Sequence, residues 1–281
     1  MFILIVPYLK YLLKAGDEHS VHSPFVFDLY YRAIKPRDGR YLQWVRVEPP
    51  DANTPVRIQN KPHHILTIES LRKTLKSDSR TIEITELGAG SKIYTGNQRK
   101  VSDLNNTAQK PAKYAQLLAR LVAYFQPSNI LDLGTSLGLT TAYMALSGQN
   151  AQVYSFEGCP QTALIAQENL TKLGIKNVSI IKGNIDITLQ EIVSGLSSID
   201  FVFVDANHRK APTLAYFEIC LSKVHENSIM IFDDIYWSKD MTDAWEQIKQ
   251  HPSVGISIDL FQFGIILFRK TQAKQHFVLK Y

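Results

Sequence analysis

The stretch Asn129-Ile130-Leu131-Asp132-Leu133-Gly134-Thr135-Ser136-Leu137-Gly138 decides how the rest of the chain is read. Five residues of strand character run into two glycines, and an apolar run over 139–146 follows that reads as a helix. A strand that enters a helix through a glycine turn lets the backbone approach a ligand, while the helix N-terminus presents free N–H groups. A second turn, Thr85-Glu86-Leu87-Gly88-Ala89-Gly90-Ser91-Lys92, competes for that role. It is followed by Ile93-Tyr94-Thr95-Gly96-Asn97, with no evident helix or second parallel strand, so context selects the turn at 134–138.

Toward the C-terminus, β-rich runs at 129–133, 153–156, 178–181, 201–204 and 228–232 alternate with helical stretches at 139–146, 161–173, 188–194, 212–224 and 241–249. That alternation is the pattern of a parallel sheet covered on both faces. Runs at 255–260 and 264–268 lie too close for a crossover helix and are expected to pair antiparallel. The predicted fold is α/β: a seven-stranded Rossmann-like sheet, mostly parallel, with an antiparallel C-terminal hairpin.

Toward the N-terminus, Ser23 as a cap and Pro24 at the first helical position open a predicted helix over 23–34. Residues 35–65 contain Lys35-Pro36, Glu48-Pro49-Pro50-Asp51 and Lys61-Pro62 and read as irregular. A helix over 69–76, a strand over 81–87 and a helix over 112–125 complete the reading. Residues 1–110 are expected to form a mainly helical N-terminal extension and residues 111–281 the sheet domain.

With 45% hydrophobic and 20% charged residues the composition is that of an ordinary globular protein, which excludes collagen-like and wholly disordered classes. Two cysteines, Cys159 and Cys220, are too few for a disulfide framework or a cysteine zinc site, so a reducing, cytoplasmic compartment is expected. Residues 1–13 are apolar, but Pro7 and Lys10 interrupt them and no basic residues precede them as a secretory signal requires. They read as a short amphipathic helix docked on the body, with attachment to a membrane surface as the alternative; no run approaches the ~20 apolar residues of a membrane span. The net charge of +5 divides unevenly: residues 1–120 hold 19 Lys+Arg against 11 Asp+Glu, residues 121–281 hold 12 against 15. The basic part is suited to an acidic partner, or is simply a solvated surface.

Glu157 stands at the tip of the second sheet strand, 25 residues after Asp132, where one carboxylate can accept hydrogen bonds from both hydroxyls of a ribose. The pyrophosphate fingerprint would need glycines at 134, 136 and 139, where the chain has Gly134, Ser136 and Leu139. No G-K-[ST] phosphate loop is present either. A nucleoside ligand without phosphates is therefore expected.

These residues resemble the class I S-adenosylmethionine-dependent methyltransferases. The resemblance runs through 129–138, Glu157, Gly183-Asn184-Ile185-Asp186, Ile199-Asp200-Phe201-Val202-Phe203-Val204-Asp205 and Ile231-Phe232-Asp233-Asp234, in order and spacing, over about 125–270. It is nearest the O-methyltransferase branch with the catechol and caffeoyl-CoA enzymes. His19-Ser20-Val21-His22-Ser23-Pro24-Phe25, Glu86-Leu87-Gly88-Ala89-Gly90-Ser91 and 205–213 are similar to a bacterial subgroup with its own N-terminal extension.

The resemblance implies S-adenosyl-L-methionine as cofactor. Asp132, Gly134, Thr135, Ser136 and Gly138 would bind its methionine side, Glu157 and Gly158 the ribose, and Gly183, Asn184 and Ile185 the adenine edge. Asn184 is also placed to cap a helix that begins near Asp186. Asp205 would face the methyl group. By its own chemistry His208, on the loop after it, is either a base that takes a proton from the acceptor or an exposed loop histidine. Arg209 and Lys210 are suited to an acidic group on the substrate, and Tyr236 and Trp237 to an aromatic wall.

Asp205, Asp233 and Asp234 fall at the tips of adjacent strands, where three like charges repel unless protonated or shared by a cation such as Mg2+. Catechol-type relatives have Asp-Asn at the last two positions, and Asp234 departs from that. The structural alternative has Asp233 and Asp234 capping the helix after Trp237 or pairing with Arg209 and Lys210. The leading function is O-methylation of a small-molecule hydroxyl. A larger acidic acceptor such as RNA is less favoured, a non-catalytic cofactor-binding module is the third reading, and a homodimer is allowed for.

Overall fold

In the computed structural model, which describes residues 5–36, 63–85, 96–270 and 273–281, the sheet grows outward from the quoted stretch. Strand β3 (Asn129–Leu133) lies between β4 (Gln152–Glu157) and β6 (Ile199–Val204), parallel to both, with Leu131 opposite Tyr154 on one side and Val202 on the other. Beyond β4 lies β5 (Val178–Lys182), and beyond β6 lies β7 (Val224–Asp233), again parallel. The chain thus starts at the centre, builds one half and crosses back to build the other. The switch point falls between β3 and β6, where a crevice opens outside the carboxyl ends of the strands.

Alternation along the strands assigns their side chains to two layers. Ile130, Phe201, Phe203, Ile229 and Ile231 join a core with α5 (Ala112–Phe125) and α6 (Leu139–Ser147). Leu131, Leu133, Val202, Val204, Met230 and Phe232 join a second core with α8 (Ile185–Gly195), α9 (Lys210–Leu221) and α10 (Lys239–Gln250). Helix α5 reaches the first layer through Ala115, Leu118, Leu121 and Val122, spaced three and four apart. Truncating a fully buried ring such as Phe203 to Ala would cost about 3–5 kcal/mol.

The predicted hairpin is present: β8 (Ile256–Asp259) pairs antiparallel with β9 (Phe263–Leu267), which pairs antiparallel with β7. The sheet nevertheless has eight strands, not seven. The added one is β10 (Gln275–Val278), parallel to β8 at the edge. Its four residues show no strong period, and it forms because β8 leaves a free row of backbone donors and acceptors beside it.

The N-terminal elements differ in detail from the expectation. Ser23 caps α2 (Pro24–Leu29) through its hydroxyl, but the helix then widens into a single π turn at Tyr30–Ile34. Helix α3 (His63–Leu75) starts earlier than predicted. The expected strand 81–87 is shorter among the described residues, β1 (Thr81–Glu83), and forms a hairpin with β2 (Gln98–Lys100) that leads into α4 (Val101–Thr107). The glycine turn at 88–90 and most of 35–65 lie outside the described residues.

These elements do not form a core of their own: Val26, Leu29, Ile34, Ile65, Ile68 and Val101 belong to the first layer. The first helix, α1 (Ile5–Lys14), buries only Tyr11, whose hydroxyl donates to the Leu279 carbonyl at 2.6 Å. The Tyr8 and Tyr11 rings pack on Phe261, and Ile5, Val6, Leu9 and Leu13 stay exposed. No described helix is long and apolar enough to cross a membrane.

Candidate active site

The tips of β3, β4, β6 and β7 carry Gly134, Glu157, Asp205 and Asp233-Asp234, which the sheet register brings to one edge. The Gly134 and Thr135 N–H groups both donate to the Phe156 carbonyl, at 3.2 and 3.0 Å, so the turn is fastened to β4. Gly134 has φ +123°, and a Cβ there would lie 2.2 Å from the Asp205 carbonyl oxygen. Only glycine lets β3 leave the sheet against β6 in this way.

Behind the turn, Asp132 is fully buried. One carboxylate oxygen accepts from Thr141 Oγ1 at 2.6 Å and Ser155 Oγ at 2.7 Å; the other, Oδ1, is buried with no partner among the described residues. Burial pushes its pKa up to about 7, against those two hydrogen bonds. Thr135 turns inward too, its hydroxyl 2.6 Å from Ser155 Oγ, and Gly138 packs against Ala166. Of the candidates on this turn, Gly134 and Ser136 are the partly open ones.

The half-buried Glu157 carboxylate accepts from the Ser136 N–H at 2.8 Å and the Cys159 N–H at 2.9 Å. A carboxylate has about four lone-pair sites, so acceptor capacity remains for hydroxyl donors. Burial raises its pKa, and the backbone donors of Cys159, Ser136 and Gly158 oppose the rise. Gly183 donates its N–H to the Glu157 carbonyl at 3.0 Å, placing the end of β5 beside this carboxylate. Asn184 caps α8 by accepting from the Asp186 N–H at 3.0 Å, so its side chain has a structural task in addition to any ligand. An orphaned buried oxygen behind the turn, a cradle closed to any Cβ and a carboxylate with spare acceptor capacity fit the methionine and ribose of the donor that the resemblance implies.

The loop after β6 is fixed by a relay that the sequence did not reveal. Arg209 Nε donates to Asn207 Oδ1 at 2.6 Å, Asn207 Nδ2 to Tyr216 Oη at 3.1 Å, and the Tyr216 hydroxyl to Asp186 Oδ1 at 2.6 Å. Asn207 and His208 both have positive φ, 67° and 47°. The turn brings His208 Nε2 to 3.5 Å from Asp205 Oδ1. Arg209 is engaged in this relay rather than with Asp233 or Asp234.

The three aspartates converge, and the cation among them is Lys110. Its ammonium lies 3.2 Å from Asp205 Oδ1, hydrogen-bonds Asp233 Oδ2 and is 4.0 Å from Asp234 Oδ2. Gln262 Nε2 reaches the same pair, donating to Asp233 Oδ1 at 3.0 Å and to Asp234 Oδ1. Asp233 is fully buried and the Asp205 side chain is 14% exposed. Burial raises the Asp205 pKa, while Lys110 and His208 act to lower it. Among the described residues, no group of three or more acidic, histidine or cysteine side chains has the spacing to hold a metal ion. The residues therefore do not fit the divalent cation that the sequence reading considered, because an ammonium stands where it would bind.

Beside this cluster, Tyr236 stacks on Phe261 with ring centroids 5.3 Å apart and donates its hydroxyl to Asp259, while Trp237 is 39% exposed. Sequence reasoning missed Lys110 and Gln262. The one signal that pointed toward Lys110 was the basic balance of residues 1–120 against the acidic remainder.

Residues 131–235 match the sequence model of a family described as Methyltransferase domain. Over 126 residues the chain is 34% identical to the catechol O-methyltransferase of Niastella koreensis, covering 44% of this chain and 55% of that relative. The matched part spans about half or less of the length of the curated relatives. Among solved structures, a methyltransferase of Podospora anserina with SAH bound superposes with a TM-score of 0.55 at 15% identity, covering 74% of this chain and 89% of that one. An O-methyltransferase of Bacillus cereus in complex with SAH gives 0.53 at 19%, covering 83% and 96%. The sheet domain thus has the class I, Rossmann-like methyltransferase fold. The particular proteins it is similar to by sequence are catechol and protein-L-isoaspartate O-methyltransferases, and by structure methyltransferases that include O-methyltransferases.

Proposed function

We propose that the protein is an S-adenosylmethionine-dependent methyltransferase that acts on a hydroxyl of a small molecule. The observation that carries this reading is the convergence of the Gly134 turn, the Glu157 carboxylate and Asp205 at the switch point, within the stretch that matches the methyltransferase family. Bound there, the donor supplies a methyl group on a sulfonium, which needs in-line approach and exclusion of water rather than an enzyme nucleophile.

Each residue then has a task. The backbone at Gly134 and Ser136 lies against the methionine side, and Asp132 holds the turn from behind. The remaining acceptor capacity of Glu157 takes the ribose hydroxyls. Gly183 and Ile185 form the adenine edge, with Asn184 holding the start of α8. His208 Nε2 takes the proton as the acceptor oxygen attacks, and Asp205, 3.5 Å away, steadies the resulting imidazolium. Two free, buried cysteines suit the reducing, cytoplasmic compartment expected from the sequence.

The experiment is calorimetric titration of the purified protein with S-adenosylmethionine and S-adenosylhomocysteine beside a nicotinamide dinucleotide, followed by a methyl-acceptor screen of phenols, catechols and RNA. Binding of the first two ligands and turnover on a small phenolic acceptor is the expected result. Preference for the dinucleotide overturns the cofactor assignment, and turnover on RNA alone overturns the acceptor class.

A further inference from the structure

We propose that Lys110 is the built-in cation of this site, so that acceptor activation runs without a divalent metal and through a single acceptor oxygen. The proposal rests on the methyltransferase reading above and deepens it.

Lys110 is the last residue before Pro111, and the loop that carries it is pinned on both sides. Gln109 Nε2 donates to Ser136 Oγ at 2.8 Å, which ties the loop to the glycine turn, and Pro111 opens α5, a helix with six residues buried in the first core. The lysine side chain, 12% exposed, passes between these anchors to the strand tips. It therefore differs from a surface lysine that happens to reach an acid. Its partners come from two strands: Asp205 from the end of β6, and Asp233 with Asp234 from the end of β7.

Charge and coordination both argue that this place holds one cation only. A hard divalent ion needs about six oxygen ligands at close range and would take them from these same carboxylates. Here Asp233, the fully buried member, has one oxygen on the ammonium and the other on the Gln262 amide. A metal ion within reach of Asp205 and Asp233 would sit against the ammonium, with like charges in contact and few free lone pairs to bind it. Gln262, which also donates to Asp234, takes up further carboxylate oxygens, so that Lys110 and Gln262 between them engage all three aspartates.

The change of cation alters what the acceptor must look like. A divalent ion chelates two adjacent oxygens, whereas an ammonium has three donors, two of them already directed at Asp233 and Asp205. One N–H remains, enough for one oxygen. It supports the developing negative charge on that oxygen as its proton leaves for His208, so a lone hydroxyl suffices and a vicinal diol has no advantage.

Binding of Mn2+ to the full chain, read by electron paramagnetic resonance, tests this without any acceptor or donor. Wild type is expected to bind no Mn2+ that Asp233→Asn removes. Lys110→Ala, which empties the place and leaves three carboxylates, is expected to gain a Mn2+ site that Asp233→Asn abolishes, while Lys110→Arg gains none. If Lys110→Ala is unfolded by circular dichroism, its recovery on adding Mn2+ is the same gain in another form. A wild-type Mn2+ site that depends on Asp233 overturns the proposal, and so does a folded Lys110→Ala that gains no site. Donor titration on the same samples separates the two readings, because failure to bind S-adenosylmethionine defeats the methyltransferase assignment and leaves the metal result standing. With an active acceptor pair, chelator is expected to leave turnover unchanged and a catechol to do no better than its parent phenol; loss of activity with chelator overturns the proposal.

Discussion

A methyl group on Gly134 would come within 2.2 Å of the Asp205 carbonyl oxygen, so the turn at the end of β3 and the tip of β6 share one steric constraint. That carbonyl is backbone and cannot swing aside, and φ of +123° is itself closed to residues with a Cβ. Gly134→Ala is therefore expected to lose about 2–4 kcal/mol of stability and donor binding as well. A thermal melt with a donor titration on the folded fraction checks it, and unchanged stability would contradict the geometry.

Glu157 has two tasks that its variants separate. Glu157→Ala removes the acceptor of the Ser136 and Cys159 N–H groups and the ribose partner together. The donor dissociation constant is expected to rise by about 10–100-fold, the equivalent of one or two charge-assisted hydrogen bonds. Glu157→Gln keeps one carbonyl acceptor and should fall between. A dissociation constant unaltered in both variants would remove Glu157 from the ribose site.

Asp132 links stability to pH. In the unfolded chain its carboxyl ionises near the ordinary value of 3.8, whereas in the fold it keeps its proton up to about 7. Between those values the folded state binds more protons, so the stabilisation present below about pH 4 is lost as pH rises through 7. Its size is on the order of 2–4 kcal/mol. Asp132→Asn, neutral throughout, is expected to flatten the stability profile over that window and to be the more stable form at pH 8. Parallel profiles for the two proteins would show that the carboxyl is already ionised in the fold.

Tyr216 is the hinge of the relay from Arg209 to Asp186. Tyr216→Phe keeps the ring in its core position and deletes the hydroxyl, at an expected cost of about 1–2 kcal/mol. The sharper readout is amide hydrogen exchange over residues 206–209, which should quicken while the strands keep their protection. Equal protection in both proteins would mean that the positive-φ turn at Asn207 and His208 holds without the relay.

What the sequence makes legible follows from range. The alternation of β-rich and helical runs is local, so β3 to β9 and the helices between them could be placed within a few residues. The glycine turn, Glu157 and Asp205 could be grouped because parallel strands of equal pattern put their tips on one edge. Asn184 was legible in both senses, since a helix start needs a cap wherever a ligand lies. Lys110 was not, because it meets Asp233 across 123 residues and no motif attends a single lysine before a proline. Its only trace was the unequal charge of the two parts of the chain, and in the fold part of that difference is met internally, by Lys110 on the aspartates and by Arg80 on Glu168 at 2.8 Å. The eighth strand was hidden for another reason: β10 owes its form to the open edge of β8 rather than to its own four residues. The π turn at Tyr30–Ile34 likewise has no period of its own to announce it.

The bond between Tyr11 and the Leu279 carbonyl, with Gly16 bridged to Leu279 and Tyr30 donating to Lys280 at 2.7 Å, sets an order of events during synthesis. The first helix leaves the ribosome early, but the backbone it is fastened to is made 268 residues later. At about 5–20 residues per second that is a wait on the order of 10–50 s, far longer than a helix or hairpin takes to form. Throughout it, Tyr11, the residue of this helix that the fold buries, has no docking surface yet built. Helix α1 therefore docks only once β10 has been made, and its attachment is among the late contacts the fold completes.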